Sequence, residues 1–583
     1  MTSTKSTTYG RGQLLILCLL ALFLYLPSVL LVELYGGEEA GFAAIAREMI
    51  SSGNFLQPHL QGNPVKVFPL YPWLICIFSF GKAPCLLSIR LPAVLSVWAL
   101  ALICGLTARR SKGDLAGFIA AAVVLCCVAC LRIGYRAQTA SLQAFFLALA
   151  WFSWYRYGPQ EQRWHVAWGT ALACLFLSIM SAGAGVIPLF YLPLLITRNP
   201  PKTLRQLQSA PHIIILAAFA LLCFVYIKFI CHQPFFPWDA VSFTLPDNRT
   251  VSFFGHPFNF GAKVFVYLLP WSLFAWAPFC LAMRQFEPVG TMCSFFRALV
   301  FVPLLLFLFW PGAAALWLLP TLAPMAVLIG IHFEITVNWY RRFFAWTMKL
   351  IYALAAAIAI FGAAFWGLLF LGNIELQSAI LDEMQRDAVA LFLALVCAIL
   401  AILSIKQYRR AKKTPLWQAL PLSCAALRVS LLLSITCVQS WSVGDRKRAG
   451  LSLAGRNRNE TQAYTELAGL DPEIPLYLHG NYAYLTECYY LRRNIIRLMD
   501  FPAGLPDKQR QVYLLSQRQP AVPSRQWEAL SPNVDMSQRR KWQWQLPNQD
   551  NQYKLSIARV PDEERSIQPP NYLRLYKGTL KNE

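Results

Sequence analysis

LLILCLLALFLYLPSVLLVEL, residues 14–34, carries a single charge, Glu33. A helix rises 1.5 Å per residue, so a run of this length crosses the roughly 30 Å of bilayer hydrocarbon. No small-residue cleavage site follows it before Glu33, so it reads as a retained span and not as a leader. Similar runs recur at 90–108, 115–132, 138–155, 166–181, 184–197, 212–232, 263–284, 296–310, 314–333, 345–371, 387–405 and 416–438. Three of them, 166–181, 184–197 and 296–310, are short. Breaks at Ser181–Gly185 and at Trp310–Pro311–Gly312 divide longer apolar stretches. Broken backbone at membrane depth is tolerated only where protein or a wet cavity covers it. Of the 583 residues, 57% are hydrophobic and 14% charged. Soluble domains carry about a quarter charged residues. The sequence therefore predicts a polytopic α-helical membrane protein with about thirteen transmembrane helices over 1–439. A small soluble α/β domain follows at 440–583.

Lysine and arginine set the expected orientation. With Lys5 and Arg11 in the cytoplasm, the loops on that side hold Arg109, Arg110 and Lys112, then Arg156 and Arg163, then Arg198, Lys202 and Arg205. Arg284, Arg297, Arg341, Arg342 and the run Lys406–Lys413 continue the series. The opposite loops before residue 440 hold only Arg47, Lys66, Lys82, Arg136, Arg249 and Arg386. This bias follows the positive-inside rule, and an odd number of spans places 440–583 outside. It also accounts for the net charge of +23 without nucleic acid, because the basic residues line one membrane face.

Most of the sixteen cysteines lie in apolar runs and read as small packing residues. Cys126, Cys127 and Cys130 give a Cys-x-x-Cys inside the third span. Cys76 and Cys85 share the first outer loop, where an oxidising compartment permits a disulfide. No zinc spacing, phosphate loop or nucleophile elbow is present. In the C-terminal region, Leu476–Leu478 and Val512–Leu515 read as buried strands and Tyr482–Leu491 as a helix.

The first outer loop, 35–89, carries the chemistry. After Glu38-Glu39, the residues Phe42, Ile45, Ala46, Met49 and Ile50 recur at helical spacing. Arg47 and Glu48 fall on another face, so the segment reads as an amphipathic helix at the membrane surface. The acidic pair suits the first turn of that helix, where the dipole favours carboxylates. It also stands only a few residues beyond the first span, at head-group depth.

The loop resembles a known family. Its order is the acidic pair, Ala-Ile-Ala-Arg-Glu-Met (44–49), Ser-Gly-Asn-Phe (52–55), Pro58 and Gly62-Asn63. Lys66, Pro-Leu-Tyr-Pro-Trp-Leu (69–74) and Ile-Arg-Leu-Pro-Ala-Val-Leu (89–95) follow. This is similar to the GT-C fold membrane glycosyltransferases that use polyprenyl-phosphate sugars. The nearest branch is the lipid A aminoarabinose transferases, related to the protein O-mannosyltransferases. Softer likenesses are His256-Pro257 with Tyr267–Trp271, Leu318–Pro324, and the segments around Ile474–Leu478, Leu491–Arg493 and Gln511–Leu515. Departures from the family pattern are definite. Glu38-Glu39 stands where Asp-Glu is usual, and Lys66 lies three residues before Pro69 instead of beside it. Gln138-Thr139-Ala140-Ser141 replaces an acid, Ser181–Gly185 replaces Lys-Gly-Pro, and no basic residue accompanies Pro311-Gly312-Ala313.

Glycosyl transfer from a lipid phosphate needs a carboxylate to take the acceptor's proton, cations to hold the leaving phosphate, and a greasy groove for the tail. Glu38 is the first choice as base, with Glu39 next. Lys66, Arg136 and Arg249 are the cations expected to bind the phosphate, although Arg136 also suits simple snorkelling at the membrane edge. His256, in the loop 233–262, is a candidate for the acceptor pocket. The resemblance implies an inverting transferase of the bacterial inner membrane, acting outside the cytoplasm as a monomer. Its partners would be a polyprenyl-phosphate sugar, the bilayer, and a glycolipid, glycan or protein acceptor. No cofactor is expected beyond the lipid-linked donor; no metal ligands are assigned, and divalent-metal use stays open. Two other readings remain: a catalytically degenerate relative that binds the lipid carrier, and a transporter or flippase.

Overall fold

The computed structural model describes residues 10–31, 38–65, 67–183, 185–196, 205–225, 255–310, 313–370 and 383–410. It also describes the C-terminal stretches 474–479, 495–498, 511–516, 525–529, 534–535, 542–545, 556–559 and 572–580. The chain divides into two compact units. The first comprises Met1–Val29, Arg90–Gly367 and Leu391–Leu432; the second comprises Leu30–Ile89, Leu368–Ala390 and Leu433–Glu583.

The helices in chain order are α1 Gly10–Leu31, α2 Glu38–Ser52, α3 Leu70–Phe78, α4 Leu86–Lys112, α5 Asp114–Cys126, α6 Val128–Ile133, α7 Thr139–Tyr155, α8 Trp164–Ala182 and α9 Val186–Leu195. They continue as α10 Ala210–Val225, α11 Gly255–Leu268, α12 Gly290–Leu308, α13 Leu322–Trp339, α14 Arg341–Phe370 and α15 Glu383–Arg410. Among the described residues, four helical stretches are long and apolar enough to cross a membrane: Leu86–Lys112, Trp164–Ala182, Gly290–Leu308 and Ala315–Trp339. The protein is thus a helical membrane protein. Several expected spans are interrupted, and the expected span 416–438 lies outside the described residues.

Two interruptions answer each other. The third expected span breaks at Cys127, whose φ of −71° and ψ of 146° are extended, and this separates α5 from α6. The break frees backbone groups that hydrocarbon would leave unpaired. Val128 N–H donates to the carbonyl of Leu269 at 3.1 Å. The carbonyl of Leu125 accepts the Tyr25 hydroxyl at 3.0 Å. Leu269 itself follows α11, where the chain bends by 108° into short turns over Trp271–Phe279. Each irregular segment therefore satisfies backbone of the other.

Small residues let the helices of this unit approach closely. A Cβ on Gly330 of α13 would lie 2.5 Å from the Ala116 carbonyl oxygen of α5. A Cβ on Gly117 would lie 2.8 Å from the carbonyl oxygen of Gly105 on α4. Close backbone contact of this kind replaces the hydrophobic drive that is absent between helices in lipid.

The second unit holds α2, α3, a hairpin and a mixed sheet. The hairpin pairs β1 (His59–Leu60) with β2 (Asn63–Pro64). The strands that follow are β3 Leu476–His479, β4 Ile495–Arg497, β5 Gln511–Ser516, β6 Arg525–Ala529, β7 Val534–Asp535, β8 Trp542–Gln545, β9 Ser556–Arg559 and β10 Tyr572–Leu580. The sheet order is β4-β3-β5-β10-β6, with β3 parallel to both neighbours and β10 antiparallel to β5 and β6. Strands thus form where the apolar runs at 476–478 and 512–515 predict them, and Tyr477, Leu498, Val512 and Leu514 make the core. The helix expected at Tyr482–Leu491 lies outside the described residues.

Helix α2 forms where its periodicity predicts, but its setting differs from the expectation of a helix half in water. Ala40 through Arg47 and Met49 are all buried, Arg47 included at 8% exposure. The polar side of this helix is covered by protein.

The close contact at Gly330 makes a direct test. Gly330→Val should lose about 1–3 kcal/mol by overpacking against backbone that cannot yield. Gly367→Ala, which meets nothing within 4 Å, should instead be neutral or gain about 0.5–1 kcal/mol of helix propensity. Thermal unfolding of the two variants in detergent reads the difference.

Candidate functional site

In the second unit, Glu38 opens α2, and its side chain lies outside the described ones. Glu39 beside it is only 3% exposed. Both sit in the first helical turn, where the dipole stabilises a carboxylate. Helix α3 fixes α2 from its apolar side. The Phe42 and Tyr71 rings lie 5.0 Å apart, and the Cys76 thiol donates to the Ala46 carbonyl at 3.6 Å. Burial pushes that thiol's pKa up to about 11. Cys76 and Cys85 are both free thiols. Tyr71 in turn donates to the Ile89 carbonyl at 3.1 Å.

The loop's turn is built with a carboxylate that the sequence places on a solvated face. Glu48 Oε1 accepts the Gln61 N–H at 2.5 Å and Oε2 accepts the Gly62 N–H at 3.1 Å. Burial raises its pKa, while the two amides and His59 pull it back down. The register of the hairpin, His59 opposite Pro64 and Leu60 opposite Asn63, leaves Gln61 and Gly62 as the turn, at φ values of 55° and 78°. Lys66 and Arg249, two of the three cations expected to hold phosphate, lie outside the described residues.

In the first unit, the end of α6 gathers positive charge around one ring. Arg136 is half-buried, with its guanidinium 5.6 Å from the Tyr135 ring centroid and its Nε 3.3 Å from the Tyr135 hydroxyl. Arg90 lies 5.9 Å from the same centroid. Arg90 is fully buried and donates to the carbonyls of Ser28 at 3.4 Å and Val29 at 2.9 Å, near the end of α1. Four residues before Arg136, the exposed Arg132 donates to the Tyr267 hydroxyl at 3.4 Å and lies 6.0 Å from that ring's centroid.

Tyr267 also lines an apolar groove. Its walls come from α6, α11, α12, the tight turn Ala315–Thr321 and the start of α13, through Ala129, Val264, Val300, Leu304, Leu319 and Met325. The hydroxyls of Tyr267 and Thr321 are its side-chain polar groups. Arg132 is a residue that sequence reading passes over, because it sits at the end of a segment read as an unbroken span. The break at Cys127 and the exposure of Arg132 single it out.

His256 is not a loop residue. It lies in the first turn of α11, is 8% exposed, donates from Nε2 to the Phe307 carbonyl at 3.2 Å, and packs on Phe260. Its ring is engaged in holding α11 to α12. At the start of α7, where the family carries an acid, Gln138 makes no side-chain cap and Ser141 is buried.

The sequence also gives no hint of a buried ionic cluster. Glu287 pairs with Arg297, and His332 Nε2 lies 3.2 Å from Glu287 Oε1. Arg297 Nε donates to the Pro278 carbonyl at 2.7 Å. These bonds tie the turn before α12 to α12 and α13. Among the described residues, no cluster of three or more His, Cys, Asp or Glu could hold a metal ion.

No family model matches the chain. An undecaprenyl phosphate-alpha-4-amino-4-deoxy-L-arabinose arabinosyl transferase 2 of Pseudomonas fluorescens is 26% identical over 346 residues, 56% of this chain and 57% of its own length. The match thus spans little more than half of that relative. Two crystal structures of ArnT from Cupriavidus metallidurans, one bound to undecaprenyl phosphate and one in the apo state, each superpose with a TM-score of 0.62. Identities are 16% and 17%, covering 87% of this chain and 93% of theirs. The chain has the GT-C fold of those structures, in a divergent form.

Burial separates the two arginines that flank Tyr135. Arg90→Ala should strand the Ser28 and Val29 carbonyls at about 1–3 kcal/mol each, lowering yield and the unfolding temperature markedly. Arg136→Ala, at a half-buried site, should fold almost normally. Size-exclusion recovery and thermal unfolding of both variants check this.

Proposed function

We propose that this protein transfers a glycosyl group from a polyprenyl-phosphate-linked sugar to an acceptor on the outer side of a bacterial inner membrane. The observation that carries the proposal is the apolar groove lined by Tyr267, whose hydroxyl accepts a hydrogen bond from Arg132. A groove of aliphatic side chains suits a prenyl tail, and the Arg132 guanidinium, bonded to a residue of its wall, suits the phosphate. The GT-C fold supports the same reading.

The chemistry assigned is a single displacement. The acceptor oxygen attacks the anomeric carbon as the bond from that carbon to the phosphate oxygen breaks, which inverts the centre. Glu38 takes the acceptor's proton, and the cations Lys66, Arg132 and Arg136 receive the charge that develops on the polyprenyl phosphate. Glu39, enclosed in the same helical turn, shapes the field around Glu38. Arg249 remains assigned to the phosphate from sequence alone.

A second reading is favoured by one specific feature. The start of α7 offers Gln138, Thr139, Ala140 and Ser141 where the family has an acid. In that reading the protein binds the lipid carrier without transferring its sugar.

Three measurements test these readings. Undecaprenyl phosphate should co-purify in native mass spectrometry, and an Arg132→Ala/Arg136→Ala double variant should lose it; unchanged retention places the phosphate elsewhere. With undecaprenyl-phosphate aminoarabinose as donor, the donor type named for the P. fluorescens relative, Glu38→Gln should lower turnover by about 10²–10⁴-fold while lipid retention persists. Full turnover in that variant removes Glu38 from the mechanism, and retention without transfer in the wild type establishes the binder. A reporter active only outside the cytoplasm, fused after residue 583, should be active; silence at normal expression reverses the orientation.

A further inference from the structure

The carboxylate of Glu48 spends both oxygens on two successive backbone amides, those of Gln61 and Gly62. The two residues share a left-handed backbone, at φ values of 55° and 78°. Successive N–H groups in such a turn converge and favour an anion between them. A carboxylate near the end of a helix works against the dipole, and burial adds to its cost. Two charge-assisted hydrogen bonds offset that cost.

The contact links three elements of one unit. Glu48 lies near the C-terminal end of α2, the helix that begins with Glu38 and Glu39. The hairpin tip it holds abuts the sheet: a Cβ on Gly62 would lie 3.3 Å from Ile496 Cγ2 on β4. Helix α3 grips the apolar side of α2 through Phe42 and Ala46, and Glu48 grips the tip from another side. Glu39 lies nine residues earlier on the same rigid rod, about 13 Å along its axis.

We propose that Glu48 is a positioning residue for the transfer reaction: by holding the Gln61–Gly62 tip against β4, it sets the orientation of α2 and so aims the acidic pair at the helix's other end. This rests on the reading of Glu38 as the base. Glu48→Gln keeps the shape but turns one acceptor into a donor facing an N–H, so one of the two bonds is lost. The reacting atoms then sit slightly misplaced, and misplacement of about 1 Å costs up to about 100-fold in rate.

The test uses the full chain in detergent. Hydrogen exchange should quicken in Glu48→Gln for peptides covering 57–65 and stay unchanged in α3 and α4. With undecaprenyl-phosphate aminoarabinose as donor, kcat should fall about 10-fold to 100-fold while the donor KM stays within about twofold. Gly62→Ala, strained at positive φ and crowded by Ile496, should give the same kcat signature. The double variant should cost less than the two losses combined. Unchanged exchange at 57–65 overturns the tie itself. Faster exchange with unchanged kcat, or a loss confined to KM, leaves Glu48 a structural tie and overturns the positioning role. A wild-type protein that transfers no sugar from this donor or any other polyprenyl-phosphate sugar overturns the base assignment, and with it the positioning role. The exchange comparison then still decides whether Glu48 holds the tip.

Discussion

The hydrogen bond from Val128 N–H to the Leu269 carbonyl is the constraint on which the first unit depends. A helix that breaks within hydrocarbon exposes backbone groups that lipid cannot satisfy, at several kcal/mol each. Here two breaks occur and each supplies what the other lacks. Tyr25 serves the Leu125 carbonyl in the same way, from a different helix. Neighbouring regular helices pack closely through small residues such as Gly105, Gly117 and Gly330.

The breaks have a consequence for binding. An unbroken third span would carry Ala129 and Arg132 along the line of α5; the break re-aims both. Likewise, the 108° bend after α11 leaves Val264, Tyr267 and Leu268 at the end of a short helix. These residues from two interrupted elements form walls of the apolar groove. The feature that looks like a defect in the hydropathy pattern is therefore the feature that makes a cavity, because continuous helices packed at native density leave no such space.

How much of this was legible in the sequence depends on what each feature rests on. Membrane-length helices rest on composition over some twenty residues, and among the described residues four of them emerge near the expected ranges. The strands at 476–479 and 511–516 rest on short apolar runs and were equally readable. The helix α2 was legible from its spacing, but its surroundings were not, because periodicity reports one apolar face and cannot say what covers the other. Spacing puts Glu48 on the polar face but does not reveal its role: its partners are backbone amides thirteen and fourteen residues away, and no side-chain pattern announces them. His256 was misread as a loop residue because the helix that holds it begins only at Gly255. The Glu287–Arg297–His332 cluster joins residues up to 45 positions apart, beyond any local signal.

The electrostatics near Tyr135 bear on the missing acid at the start of α7. Two guanidinium groups lie within 6 Å of one ring centroid, at 5.6 and 5.9 Å. The ring's face attracts each cation, an effect of about 0.5–2 kcal/mol depending on desolvation. Their mutual repulsion grows as the local dielectric falls. Arg90 is held by the α1 carbonyls of Ser28 and Val29. An acid at position 138, at the start of α7, would add a negative charge two residues beyond Arg136. Gln138 through Ser141 are neutral and add none, so any counter-charge to the pair comes from other elements.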